Sequence, residues 1–179
     1  MRDLISAEKF YGANKKKIAI VIVLIALLLG GLLAFPGNLA TPRNARIKKE
    51  IETHLTAYSA LYRKKDVKGI MALYSSEPDI IMLGAGKGQH FIGYAAIEKA
   101  YERELSAFDE IISVTCKPLS LLIEGDIVTL AAERYVATFH GDERVTLTSG
   151  FTAVMKNIRG RWFFVQTHYS SPYEQPAAT

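Results

Sequence analysis

Eighteen consecutive residues without a charge, Ile18–Phe35 (IAIVIVLIALLLGGLLAF), constrain this 179-residue chain more than any other feature. At about 1.5 Å per residue the run spans roughly 27 Å as a helix, close to the hydrocarbon thickness of a bilayer. A helix lying on a soluble domain needs a polar face, and this run has none. Pro36, Gly37 and Asn38 end it. A cleaved signal peptide is the alternative, since a basic lead and an apolar core fit one. The core is long for a signal, however, and residues 35–40 offer no small-x-small cleavage site. The reading is an uncleaved, single-pass anchor that partners the bilayer through residues 18–35. Arg2, Lys9 and Lys15–Lys17 precede the run, and the triple lysine abuts it. Arg43, Arg46, Lys48 and Lys49 follow at a distance and are offset by Glu50 and Glu52. The positive-inside rule then puts residues 1–17 in the cytoplasm and the C-terminal domain on the periplasmic or extracellular side. The pair Gly30-Gly31 is a weak signal for close helix packing.

Outside this segment the chain has a globular composition, with 22% charged residues and a formal charge of +4. The basic residues are not gathered on one element, and no nucleic-acid partner is expected. Cys116 is the sole cysteine, so no internal disulfide forms. Its place in a strand pattern reads as a small packed residue. His54, His90 and His140 show no metal-ligand spacing, and neither a metal nor a cofactor is expected.

Residues 36–43 read as a linker and 174–179 as a tail. Asn44 can cap a helix running to about Lys65, with Ile47, Ile51, Leu55, Tyr58 and Leu61/Tyr62 on one face. Asp66 can cap a shorter helix with Val67, Ile70, Met71 and Tyr74 inward. Asp79–Leu83 reads as a strand, followed by a loop at Gly84, Gly86 and Gly88. That G-x-G-x-G is no phosphate fingerprint, because no helix opens directly after it. Gly93 precedes a third helix to about Phe108, with Ile97, Tyr101, Leu105 and Phe108 on one face. Four long strands follow, 111–122, 127–140, 143–157 and 161–170, joined by tight glycine turns. Helices first and a β-meander last predict an α+β domain with helices on one face of an antiparallel sheet.

Three patches carry a resemblance: KKDVKGIMALYSSEPDI (Lys64–Ile80), FIGYAAIEKAYERELS (Phe91–Ser106) and GRWFFVQTHYSSP (Gly160–Pro172). Phe91–Ser106 is similar to a family helix after a G-x-x-A-I start. Gly160–Pro172 is similar to a last strand that often reads G-x-W-x-x-V-x-x-H-x-S-x-P. With the element order, these resemble the SnoaL-like and ketosteroid-isomerase-like (nuclear-transport-factor-like) superfamily over about residues 44–173. The resemblance implies a cone-shaped curved sheet wrapped around three helices, with a pocket inside. It says little about function, because that superfamily includes isomerases, cyclases, dehydratases, transport factors and kinase association domains.

Its isomerases use an Asp base with a Tyr and a protonated Asp as oxyanion donors. Carried over, the tyrosine matches Tyr58, the base falls at Met82 and the acidic donor falls near Ser149. Without a base there is no proton abstraction. The kinase association domains place basic residues in the same pocket. One matches Arg134, and the others fall at Ala153 and Tyr169. The implied ligand site is therefore Tyr58, Met82, Arg134, Ser149, Phe151, Ala153, Thr167 and Tyr169, with no catalytic residue assigned. Strand alternation supports two of these groupings: Phe151 with Ala153, and Thr167 with Tyr169. Arg134 either anchors a ligand carboxylate, pairs with an internal acid such as Glu98 or Glu102, or lies on the outer face. Alternation places His168 with Trp162, Phe164 and Gln166 on the open sheet face, where the large aromatics suggest a dimer contact. Core packing is the default for Tyr58, Tyr62, Tyr74 and Tyr101.

The expected function is a membrane-tethered, non-catalytic binding or assembly module. It would be a homodimer and would take a small carboxylate or partly apolar ligand. The rival is an isomerase, dehydratase or hydrolase using Tyr58 and an unidentified base. A third reading is an accessory subunit of a membrane complex.

Overall fold

Apolar residues at intervals of three and four start the fold. A computed structural model describes residues 41–171. Helix α1, Pro42–Arg63, buries Ile47, Ile51, Leu55, Tyr58 and Tyr62 as one stripe. It begins two residues before Asn44, with proline at its first position, where a missing N–H costs nothing. Asp66 caps the short helix α2, Val67–Met71, by accepting from the Gly69 N–H at 2.9 Å. Helix α3 runs Tyr94–Ser106, and the N-cap before it, Gly93, has φ 82°. The backbone there is left-handed, which glycine adopts without strain.

Six strands form one sheet: β1 (Ile81–Leu83), β2 (His90–Ile92), β3 (Ile111–Glu124), β4 (Ile127–His140), β5 (Glu143–Ile158) and β6 (Arg161–Ser170). Their spatial order is β2-β1-β6-β5-β4-β3. The four long strands make the expected antiparallel meander. Between β5 and β6, Arg159 and Gly160 both have positive φ (53° and 83°), as a type I′ hairpin turn requires. Two features differ from the sequence expectation. The sheet is mixed, because β1 lies parallel to β6 with Met82 opposite Thr167. The glycine loop also leads into a further strand, β2, which closes a small hairpin with β1. Three residues are too short for periodicity to reveal.

The most consequential difference is one residue in β6. Gln166 pairs with Val154 and Phe164 with Met155, so Val165 is the extra residue of a β-bulge. The bulge shifts the face of everything before it. Trp162 and Phe164 therefore point inward, as do Thr167 and Tyr169; their exposures are 7%, 0%, 0% and 7%. Strict alternation, which put Trp162 and Phe164 on the open face with His168, is overturned. Trp162 Nε1 donates to Glu50 on α1 at 2.9 Å. Phe164 meets the rings of His54, Tyr58, Tyr74 and Phe151 at 4.7, 6.0, 5.3 and 6.1 Å.

Among the described residues no helix is long and apolar enough to cross a membrane. The anchor expectation falls on Ile18–Phe35, and the cytoplasmic segment on residues 1–17, both outside the described residues. From Pro42 on, the described residues belong to one compact unit.

Candidate functional site

Between α3, the β1–β2 hairpin and the inner faces of β4 and β5 lies a cavity of ≈ 790 Å³. Four of the eight residues expected at the site line it: Met82, Arg134, Ser149 and Tyr169. The other four lie behind this wall. Tyr58, Phe151, Ala153 and Thr167 are all buried, and they form a floor in which Tyr58 stacks on Phe151 with ring centroids 5.9 Å apart.

That floor is organised by hydroxyls. Tyr58 and Tyr169 share a hydrogen bond of 3.0 Å, and Tyr169 and Tyr101 one of 2.7 Å. Tyr101 and Tyr74 follow at 2.9 Å, and Tyr74 and Thr167 at 2.8 Å. The phenol marked by the isomerase resemblance, Tyr58, is thus occupied by Tyr169, and Tyr169 is the phenol that borders the cavity. Burial raises the pKa of each of these phenols, that of Tyr74 to about 12, so all stay protonated at neutral pH. Tyr101→Phe removes a hydroxyl from the middle of this chain and leaves Tyr74 and Tyr169 each one partner short. It is expected to lower stability by about 1–3 kcal/mol, read from the denaturant midpoint at unchanged m-value.

Arg134 sits at the cavity wall, 6% exposed. Its guanidinium lies over the rings of Tyr62 (4.3 Å) and Tyr169 (5.1 Å). Its internal acid is Glu104 on α3, not Glu98 or Glu102, with Nη2 3.6 Å from Oε1. That is an ion pair but too long for a hydrogen bond. The same Oε1 accepts the Tyr62 hydroxyl at 2.6 Å. Arg134 Nε and Nη2 are buried and have no hydrogen-bond partner. Burial opposes the charge, but the Glu104 carboxylate and the surrounding tyrosine oxygens offset it, and the guanidinium stays charged. The condition under which Arg134 would need an outside carboxylate for charge balance, the lack of an internal acid, is therefore not met.

Sequence reasoning missed the far wall: Gln89 and Phe91 from the hairpin, and Arg103, Glu104 and Phe108 from α3 and its end. Gln89 closes the hairpin, its Oε1 accepting the Gly86 N–H at 3.0 Å. A Cβ on Gly84 would stand 2.3 Å from that same oxygen. The signal for Glu104 was present. It lies three residues after Tyr101 and beside Leu105, a carboxylate on the buried stripe of α3. Among the described residues no group of three or more His, Cys, Asp or Glu side chains could hold a metal.

The model of the SnoaL-like domain matches residues 51–174. No curated protein matches the chain. Among solved structures, a nuclear transport factor 2-like superfamily protein from Salmonella enterica serovar Typhimurium is 18% identical with TM-score 0.64, over 74% of this chain and 96% of that one. A nuclear transport factor 2-like protein with a cystatin-like fold from Novosphingobium aromaticivorans is 18% identical with TM-score 0.63, over 79% and 96%. A provisionally assigned dehydratase of the same fold family from Streptomyces avermitilis is 12% identical with TM-score 0.62, over 70% and 96%. At these identities the likeness is one of fold.

Proposed function

The chain belongs to the SnoaL-like domain family, and we propose that it is a membrane-tethered, non-catalytic binding module whose cavity takes a small, partly apolar ligand on Arg134. The observation that carries this reading is a buried guanidinium with two nitrogens lacking acceptors at the wall of a ≈ 790 Å³ cavity. Buried donors without acceptors cost about 1–3 kcal/mol each, which a ligand oxygen would recover. Apolar and aromatic neighbours such as Met82, Phe91, Phe108 and Val136 suit the body of such a ligand. Calorimetry on the full chain in detergent, with a panel of small aromatic and aliphatic acids and amides, is the test. Arg134→Gln should abolish whatever binding the wild type shows, and equal binding by the two proteins would remove the anchor role.

A different reading, an isomerase, dehydratase or hydrolase, has one observation in its favour. Glu104 supplies at the cavity wall the carboxylate that is absent at Met82. Against it, the Oε1 of Glu104 already accepts from Tyr62, and Tyr58 is turned to Tyr169 rather than to the cavity. No isomerisation of a model β,γ-enone is expected, since a missing general base costs about 10²–10⁴-fold in rate; measurable turnover would establish the enzyme.

The tether rests on Ile18–Phe35 and the flanking Lys15–Lys17. On this proposal the chain stays in the membrane on carbonate extraction, and external protease reaches the C-terminal domain but not residues 1–17. A homodimer remains part of the proposal, still through the open sheet face but on other residues of it, since Leu122 stands opposite the outward Thr129. Trp162 and Phe164 are internal, whereas Leu119 and Leu122 on β3 are 61% and 62% exposed. An accessory subunit of a membrane complex would use the same tether as its docking element.

A further inference from the structure

We infer that the polar head of the ligand is a net-neutral group presenting an acceptor and a donor side by side, a primary carboxamide being the simplest, and not a carboxylate. This inference rests on the reading of the cavity as a ligand site. Arg134 and Glu104 form a loose pair across the cavity wall, 3.6 Å apart at Nη2 and Oε1. The pair is asymmetric: the Arg134 side chain is 7% exposed and that of Glu104 36%. Arg134 thus supplies unsatisfied donors from a buried position, and Glu104 supplies acceptor capacity from an accessible one.

A carboxylate placed on Arg134 would meet the Glu104 carboxylate as a like charge in a partly desolvated space, where Coulomb repulsion is less screened than in water. The guanidinium charge is already balanced, so such a ligand would leave a net negative charge at the wall. Arg103 also borders the cavity, but it is exposed and lies over Phe91 at 5.7 Å, and water weakens its compensation. A carboxamide avoids the conflict. Its carbonyl oxygen accepts from Arg134 and its N–H₂ donates to Glu104, so both partners gain a charge-assisted bond without a new charge. The oxygen and nitrogen of one amide are closer together than the 3.6 Å gap, so one amide can bridge the pair once the buried Nη2 is turned towards the cavity. Tyr62 fixes Glu104 for this task, because its hydroxyl bond at 2.6 Å holds Oε1 in place.

The test is calorimetric titration of the full chain in detergent at pH 7 with two near-isosteric probes, phenylacetamide and phenylacetate. Wild type should bind the amide at least about tenfold more tightly than the acid. Glu104→Gln keeps an oxygen for the Tyr62 hydroxyl but removes the like charge and leaves the Arg134 cation unbalanced. It should lower the amide-to-acid ratio at least about tenfold, chiefly by strengthening acid binding. Circular dichroism and the unfolding midpoint check that the variant is folded; if it is not, the wild-type ratio alone decides. Acid binding as tight as amide binding in the wild type overturns the carboxamide while leaving the cavity a ligand site. An unchanged ratio in folded Glu104→Gln removes Glu104 from recognition. Binding of neither probe, nor of any member of the wider acid and amide panel, overturns both this inference and the reading of the cavity on which it rests.

Discussion

Phe164→Ala is expected to lower the unfolding free energy by about 3–5 kcal/mol, the cost of deleting a large aromatic from a closed core. Phe164 is fully buried and stands among four other rings, those of His54, Tyr58, Tyr74 and Phe151. Its backbone is also bracketed, with its N–H bonded to the Leu73 carbonyl and its own carbonyl to the Ser75 N–H, both at 2.9 Å. The substitution therefore opens a cavity that the fixed backbone cannot close. The measurement is a denaturant midpoint compared with that of Phe163→Ala, the neighbouring position on the partly buried outer side. On strict alternation Phe164 would be a surface aromatic, and its loss would fall within about 0.5 kcal/mol. A small effect would thus return Trp162 and Phe164 to the open face and remove the Val165 bulge.

Acid should destabilise the domain through His54. Burial, and then the Arg161 charge, lower its pKa from 6.5 to about 4. Its Nε2 is buried without a partner and its ring stands edge-on to Phe164 at 4.7 Å. The unfolded chain binds a proton near pH 6.5, but the folded chain does not until about pH 4. Between those values the unfolded state holds more protons, so stability falls as the pH falls. Stability from this residue is fully present above pH 6.5, and the loss is complete below about pH 4. It amounts to on the order of 3 kcal/mol, since one unit of pKa difference is about 1.4 kcal/mol. Other groups titrate in the same range, so the reading is a difference between proteins. His54→Gln should be somewhat less stable than wild type at pH 7 and lose less stability on going to pH 4.5. Parallel pH profiles for the two proteins would show that His54 protonates freely in the folded state.

Both effects depend on the same place, where β6 meets α1, and neither could be seen from β6 alone. In GRWFFVQTHYS the inward residues are Trp162, Phe164, Thr167 and Tyr169, a spacing of two, three and two. A period of two accounts for either half of the strand and fails between them. The extra residue is decided by how β6 registers against β5 and by Leu73 and Ser75, which hold the Phe164 backbone from the other side.

The wall containing Arg134 was legible because one strand carries it and β4 alternates cleanly from Val128 to Val136. Val128, Leu130, Ala132, Arg134 and Val136 all face inward. A family resemblance then marked Arg134 among them. Glu104 was legible only in retrospect, as a charge on a helical stripe whose other members are apolar. Its pairing with Arg134 brings together residues 30 positions apart in sequence, and no local pattern encodes such a contact. The hydroxyl chain is similar. Tyr58, Tyr74 and Tyr101 each read as core residues from helical spacing, and the structure buries all three, although α2 ends at Met71 and Tyr74 lies beyond it, bridged to Phe164. That their oxygens would meet one another, Tyr169 and Thr167 followed only once three helices and the sheet enclosed a shared interior with no water to satisfy them.

The sequence alone therefore determined the three helices, the strand β1, the four long strands, their order and the α+β class, because periodicity, caps and glycine turns act over a few residues. The base position of the related isomerases falls by resemblance at Met82, a thioether that takes up no proton at neutral pH. Only the tertiary structure decided which face Trp162 and Phe164 occupy, that Tyr58 is bonded to Tyr169 and does not itself border the cavity, and that the Arg134 charge already has a partner. Those outcomes depend on strand register and long-range burial, where one inserted residue reverses a face and one distant carboxylate balances a buried cation.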